Sequence, residues 1–157
     1  MGGGVRSDRR RAIRVHADGA TERTREFAWR LSDGPGSIIS ARQAFDTWLR
    51  QTTTDVELLE DMSVVVSELV SNALDGAPKN EPDAEVRAEI EDRMLHLRVS
   101  NRLPAGIADI RHWDLDDPLR GGGRGLMIVR AYTDSLAVDS SGGAVHVRCT
   151  RRLDPAS

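Results

Sequence analysis

Ser67-Glu68-Leu69-Val70-Ser71-Asn72-Ala73 and, about fifty residues later, Gly121-Gly122-Gly123-Arg124-Gly125-Leu126 decide how this chain reads. The first stretch lies within a longer pattern. Leu59, Met62, Val66, Leu69 and Ala73 recur at steps of three and four, which predicts a helix from about Asp55 to Asp75 with an apolar stripe suited to packing on a sheet. Residues four apart on a helix are neighbours, so Val65, Glu68 and Asn72 form the adjoining stripe. A glutamate there can take a proton from an attacking hydroxyl or water. An asparagine oxygen can join a magnesium shell that also holds substrate phosphates. Polar pairs at this spacing commonly do no more than solvate a helix face, so the pair alone is weak evidence. The second stretch is a glycine-rich loop running into Met127-Ile128-Val129. A helix starting there offers free N–H groups and a positive dipole end to phosphate. No Gly-Lys-Ser/Thr follows, so it is not a P-loop. Arg124 either neutralises a phosphate or faces solvent. A carboxylate, a metal-capable amide and a phosphate cradle together point to a nucleotide site.

The flanking sequence supplies a sheet for that helix. Phe27, Trp29 and Leu31 alternate with Glu26, Ala28 and Arg30, the pattern of a strand with one buried face. After the breaker Asp33-Gly34-Pro35-Gly36, a helical spacing runs through Ile38, Ile39, Ala41, Ala44, Phe45, Trp48 and Leu49. Gly76-Ala77-Pro78 ends the long helix. Val86, Ala88 and Ile90, then Leu95, Leu97 and Val99, alternate with polar residues on either side of a turn at Asp92-Arg93, which predicts a hairpin. Asn101 continues the parity of Leu95, Leu97 and Val99, so it is expected on the buried, helix-covered face, where a polar group needs a partner from the protein or a ligand. Arg102 to Gly122, roughly twenty residues, show no clean period, the mark of a lid or binding loop. Leu126, Ile128, Val129 and Tyr132 predict a short helix. Leu136 to Val138 and Val145 to Cys149 form a second hairpin across Ser141-Gly142-Gly143. The sum is an α/β (α+β) two-layer sandwich, a mostly antiparallel sheet with helices on one face and no internal repeat.

Composition sets the bounds. The chain has 157 residues, 39% hydrophobic and 30% charged, enough for one domain with a core. Residues 1–24 are poor in apolar positions and are expected to be a disordered tail, with the domain over 25–153 and a short C-terminal tail at 154–157. Arg9-Arg10-Arg11 in that tail reads as solvated. No apolar run is long enough to span a membrane, and no apolar stretch follows the N-terminal arginines as a secretory signal would require. A formal net charge of −3 gives no general argument for nucleic acid. The single cysteine, Cys149, excludes an intramolecular disulfide and falls on the apolar parity of its strand, as a core residue would. A cytoplasmic setting is the expectation. Among 22 basic residues only Lys79 is lysine, a bias better ascribed to a GC-rich genome than to function.

On these residues the chain resembles the GHKL ATPase superfamily, whose members share the Bergerat ATP-binding fold. Within it the chain is most similar to the small anti-sigma-factor serine kinases that also regulate through anti-anti-sigma partners. Ser67 to Ala73 looks like their N box, and Gly123-Arg124-Gly125-Leu126-Met127-Ile128-Val129 like their G2 box. The order of strands, helices and loop agrees from about Phe27 to Arg152. The resemblance implies ATP and magnesium as cofactors. Glu68 would be the general base and Asn72 the magnesium ligand. Gly123 and Gly125 would bind phosphate, with Gly121, Arg124 and Leu126 in the same cofactor-binding stretch, and Asn101 would meet the base. It also implies a homodimer that binds a sigma factor and/or an anti-anti-sigma protein, without direct contact to nucleic acid or membrane.

One box departs from the pattern. The family expects Asp-x-Gly-x-Gly at the end of the second hairpin strand, where the aspartate accepts from the adenine amino group. Here the residues are Asn101-Arg102-Leu103-Pro104-Ala105. Asn101 can still accept through its amide oxygen. Leu103 and Ala105 cannot replace glycine where the backbone must approach closely, and Pro104 stiffens the segment and removes a donor. Gly76 stands where the family often has histidine. Two functions follow. One is a regulator that keeps the partner surface with nucleotide binding impaired; the other is an active ATP-dependent serine/threonine kinase that phosphorylates an antagonist. The altered box favours the first, and the intact Glu68 keeps the second open. A sensor histidine kinase's catalytic domain is disfavoured, because no dimerisation helix pair or phosphoacceptor histidine is seen before the domain.

Overall fold

The structure is a computed structural model that describes residues 13–15, 21–23, 25–31, 36–78, 84–103 and 123–154. In chain order the elements are β1 (Ile13–Val15), β2 (Thr21–Arg23), β3 (Arg25–Arg30), α1 (Gly36–Leu49), α2 (Val56–Gly76), β4 (Ala84–Glu91), β5 (Met94–Arg102), α3 (Gly123–Tyr132), β6 (Ser135–Ser141) and β7 (Ala144–Arg152). Strands β3 to β7 form one antiparallel sheet in the order β3-β4-β5-β7-β6. The three helices pack on one face of it, so the two-layer α+β sandwich read from periodicity is the observed fold. Within residues 1–24, β1 and β2 pair as a small separate hairpin; the rest of that expected tail lies outside the described residues, as does 104–122, the expected lid.

Period-two burial explains the sheet. Val86 and Ala88 in β4, Leu97 and Val99 in β5, and Val147 and Cys149 in β7 all face the helices. The alternate positions carry Arg87, Arg98 and Arg148, which lie opposite one another across β4, β5 and β7 on the other face. The two hairpins close where the sequence predicts turns. Gly142 and Gly143 take φ of 60° and 76°, and Asp92 and Arg93 take 48° and 64°. Positive φ at both central residues matches the turn to the right-handed twist of the strands. Glycine adopts it freely, whereas Arg93 does so against its Cβ. The Leu153 N–H donates to the Arg93 carbonyl at 2.7 Å and ties this turn to the end of the domain.

Helix α2 is the centre of the second layer. It starts at Asp55, whose side chain accepts from the Leu58 N–H at 3.2 Å. It ends before Ala77, which is extended at φ −82° and ψ 159°, as expected for a residue that precedes a proline. Met62, Val65, Val66, Leu69 and Val70 are all buried, and α2 touches α1, α3, β4 and β5. At the β3 edge, Phe27 packs edge-on against Phe45 with centroids 5.7 Å apart, and Trp48 lies 5.5 Å from Phe27. The Arg25 guanidinium latches that edge to the loop after α1 by donating to the Gln51 carbonyl and the Thr52 hydroxyl.

Asp55→Ala should cost about 1 kcal/mol by denaturant unfolding, the usual worth of an N-cap. Burial pushes the Cys149 thiol up from 9.0 to about 12. Because the folded value is the higher one, stability from the neutral thiol is complete below pH 9 and is lost as pH rises toward 12. The native protein should therefore resist alkylation at pH 8 and react only when unfolded, while Cys149→Ala should flatten the alkaline limb of stability against pH.

Candidate functional site

Glu68, Asn72 and Asp75 stand at i, i+4 and i+7 of α2, one face of the helix. That face looks toward the inner surface of β5 and β7 and toward the first turn of α3. Between them lies a cavity of about 440 Å³ lined by Asn72, Asp75, Gly76, Asn101 and Leu103 over an apolar floor that includes Val99, Val145 and Val147. Its size is in the range of small-molecule sites. The site therefore sits where the helix layer, the sheet and the start of α3 converge.

Asn101 is where its strand parity places it. It pairs with Ala84 on one side and Val145 on the other, is 7% exposed, and turns its side chain to the helix side. Its Nδ2 donates to the Arg102 carbonyl at 3.3 Å, a long bond. The amide lies over Gly76, where an added Cβ would come within 3.2 Å of Nδ2. Leu103 follows, 8% exposed, with its N–H donating to the Gly143 carbonyl at 2.7 Å. A leucine side chain thus occupies the wall of the cavity where the resembled pattern has glycine.

At the other end, α2 and α3 touch. A Cβ on Gly125 would lie 2.6 Å from Glu68 Oε2 and 3.5 Å from Asn72 Nδ2. Glycine at this position lets the Glu68 carboxylate rest against the first turn of α3, whose N–H groups carry the positive end of the helix dipole. Glu68 is half-buried and makes no hydrogen bond or ion pair with the described residues. Asn72 Nδ2 is buried and has no partner among the described residues, an unmet group of the kind that a ligand completes. A half-turn about χ2 would present the amide oxygen instead.

Glu68, Asn72, Gly125 and Asn101 are thus gathered around one region. Gly123 and Arg124 begin α3, but the Arg124 side chain and Gly121 lie outside the described residues, as do Pro104 and Ala105. Leu126 is buried in the core. Asp75 is a lining residue that the sequence reading passed over, although its place seven residues after Glu68 on the same stripe marks it. Among the described residues no cluster of three His, Cys, Asp or Glu could hold a metal by itself. A magnesium ion would need the phosphates of its own nucleotide as further ligands, which is how that ion is commonly bound. The unmet Asn72 amide and the glycine-lined contact at α3 fit such a group at the phosphate end. Leu103 fits it less well at the base end.

A family model described as the histidine kinase-like ATPase domain matches residues 31–151. The chain belongs to that family. Its fold is similar to a crystal structure of the RsbU and RsbW domains from Mycobacterium tuberculosis, at TM-score 0.60 and 18% identity, covering 82% of this chain and 32% of that one. It is similar also to the SiaB–SiaC complex structure from Pseudomonas aeruginosa, at TM-score 0.58 and 16% identity, covering 79% of this chain and 88% of that one. A blue-light-activated histidine kinase from Erythrobacter litoralis matches at TM-score 0.52 and 22% identity, covering 75% of this chain and 40% of the kinase. The ATPase-family domain thus spans about a third of the first of these chains. At such identities the likeness is one of fold. No curated protein sequence matches the chain. No helix among the described residues is long and apolar enough to cross a membrane.

The contact between Gly125 and Glu68 predicts a measurable coupling. Alanine favours a helix interior over glycine by about 1 kcal/mol, but in the native chain the new methyl must displace the carboxylate. Gly125→Ala should be more favourable in a Glu68→Ala background than in the native one, by about 0.5 kcal/mol or more in a double-mutant cycle of denaturant unfolding. Equal effects in both backgrounds would refute the contact.

Proposed function

We propose that this chain is a partner-switching regulator on the ATPase fold: it binds a sigma factor and/or an anti-anti-sigma antagonist, acts as a homodimer in the cytoplasm, and holds nucleotide weakly. The observation that carries the reading is Leu103, buried in the cavity wall two residues after Asn101. A base edge entering there meets an isobutyl group instead of bare backbone, while the phosphate end keeps its glycine contact and its unmet amide. Base and phosphate contacts are separable, so this combination supports residual rather than ordinary nucleotide affinity. The structural neighbours include an RsbW domain and a protein solved in complex with a partner, which accords with a protein-binding role.

Active serine/threonine kinase activity is the second reading, favoured by Glu68. Its carboxylate has no hydrogen-bond or ion-pair partner among the described residues and sits beside the start of α3, where a nucleophile's proton can be taken. When bound, ATP with magnesium supplies the transferable phosphoryl group and the counter-charge for it. Asn72 would hold the cation, the backbone of α3's first turn would face the phosphates, and Glu68 would orient and deprotonate the attacking hydroxyl.

Calorimetric titration with ATP in excess magnesium separates the readings. The regulator reading predicts saturation only at millimolar nucleotide, and the triple change Asn101→Asp, Leu103→Gly, Ala105→Gly should tighten binding about tenfold or more. Micromolar affinity in the native chain would move the assignment to the kinase, with Glu68→Ala then abolishing phosphoryl transfer. Affinity purification from the native cell should recover a sigma factor or a small antagonist; a receptor or nucleic acid in its place would end the partner-switching reading.

A further inference from the structure

We infer that Asn101 makes the cavity a purine site that does not distinguish a 6-amino from a 6-oxo base, so that adenine and hypoxanthine nucleotides bind alike. The inference rests on the reading of this cavity as a nucleotide pocket and deepens it. On the sheet side of the cavity Asn101 is the polar side chain among Val99, Leu103, Val145 and Val147, and it is buried. It is therefore the group placed to meet the polar edge of a base that enters over this floor. Asn72 stands at the opposite end, beside Gly125. Asp75 is on the lining but exposed to solvent.

The chemistry of the reading group decides what it accepts. A carboxylate offers only acceptors. It suits the donor N6 of adenine and repels the O6 of a 6-oxo purine. A carboxamide offers an acceptor and two donors. Toward adenine it can accept from N6 and donate to N1. Toward hypoxanthine it can donate to O6 and accept from the N1–H. The two arrangements differ by a half-turn of the amide, or by a small slide of the base along it. Among the described residues little opposes that half-turn. The one hydrogen bond the Asn101 side chain makes among the described residues is the 3.3 Å contact of Nδ2 with the Arg102 carbonyl, at the weak end of the range. Gly76 leaves the space beside the amide open, whereas any side chain there would begin 3.2 Å from Nδ2 and fix it. An amide that is buried, weakly tethered and set over a glycine is an adaptable reader.

Inosine triphosphate is the clean probe, because it differs from ATP only at the 6-position and the N1 proton. Calorimetry of the full chain at millimolar nucleotide in excess magnesium should give affinities for ATP and ITP within about threefold of each other. Asn101→Asp should separate them by about tenfold or more in favour of ATP, the usual size of discrimination by a well-matched base contact. A tenfold preference in either direction by the native chain overturns the inference and leaves the nucleotide reading intact. An unchanged ratio in a folded Asn101→Asp variant also overturns it, because another group would then read the base. Inorganic tripolyphosphate binding as tightly as either nucleotide would show that no base is read, with the same consequence. Should neither nucleotide bind, this inference and the reading beneath it fall together. The native ratio decides the matter even where the Asn101→Asp chain does not fold.

Discussion

The burial of α2 between the sheet and its two neighbouring helices is the constraint on which the rest of the structure depends. Met62, Val65, Val66, Leu69 and Val70 are removed from water together, and each contributes about 1.5–3 kcal/mol as an upper bound. A helix held on that many sides has little freedom to rotate. The stripe of α2 that carries Glu68, Asn72 and Asp75 therefore faces the gap between β5, β7 and the start of α3. The cavity is polar on its helix side because α2 buries its apolar stripe in the core and leaves Asn72 and Asp75 on the lining.

Two close approaches shape the ends of that gap. At Gly125 the backbone of α3 comes so near to α2 that the carboxylate of Glu68 fills the space of the missing Cβ. At Gly76 the same device brings the end of α2 against the Asn101 amide. In both places the absent Cβ leaves room for what lies beside it: an added one would push the carboxylate tip aside at Gly125 and crowd the amide by a few tenths of an ångström at Gly76. The cavity region is thus bounded by two contacts in which a polar side-chain tip lies where a methyl group would reach, and among the described residues both tips have few or no partners.

The open face of the sheet follows a different logic. Arg87, Arg98 and Arg148 lie in one cross-strand row, an arrangement that repels. Arg87 is relieved by Glu85 at 2.9 Å, and Arg148 by Asp139 at 3.8 Å. Solvent screening keeps the remaining cost small, as for exposed pairs in general.

Local pattern by itself determined most of the architecture. The period of two in 84–91, 94–102 and 144–152, the steps of three and four in 56–76, and the turn residues Asp92-Arg93 and Gly142-Gly143 all became the elements they predict, because each rule concerns neighbours only a few residues apart. The parity of Asn101 and the shared face of Glu68 and Asn72 were legible for the same reason. Distances across the chain were not. That Gly125 lies against Glu68, that Gly76 lies under Asn101, that Leu103 walls the cavity, and that Asn72 Nδ2 has no partner among the described residues are facts about segments far apart in sequence. Only the packing of α2 against both α3 and the sheet decides them, because a contact between distant residues is set by how whole elements fill the space between layers.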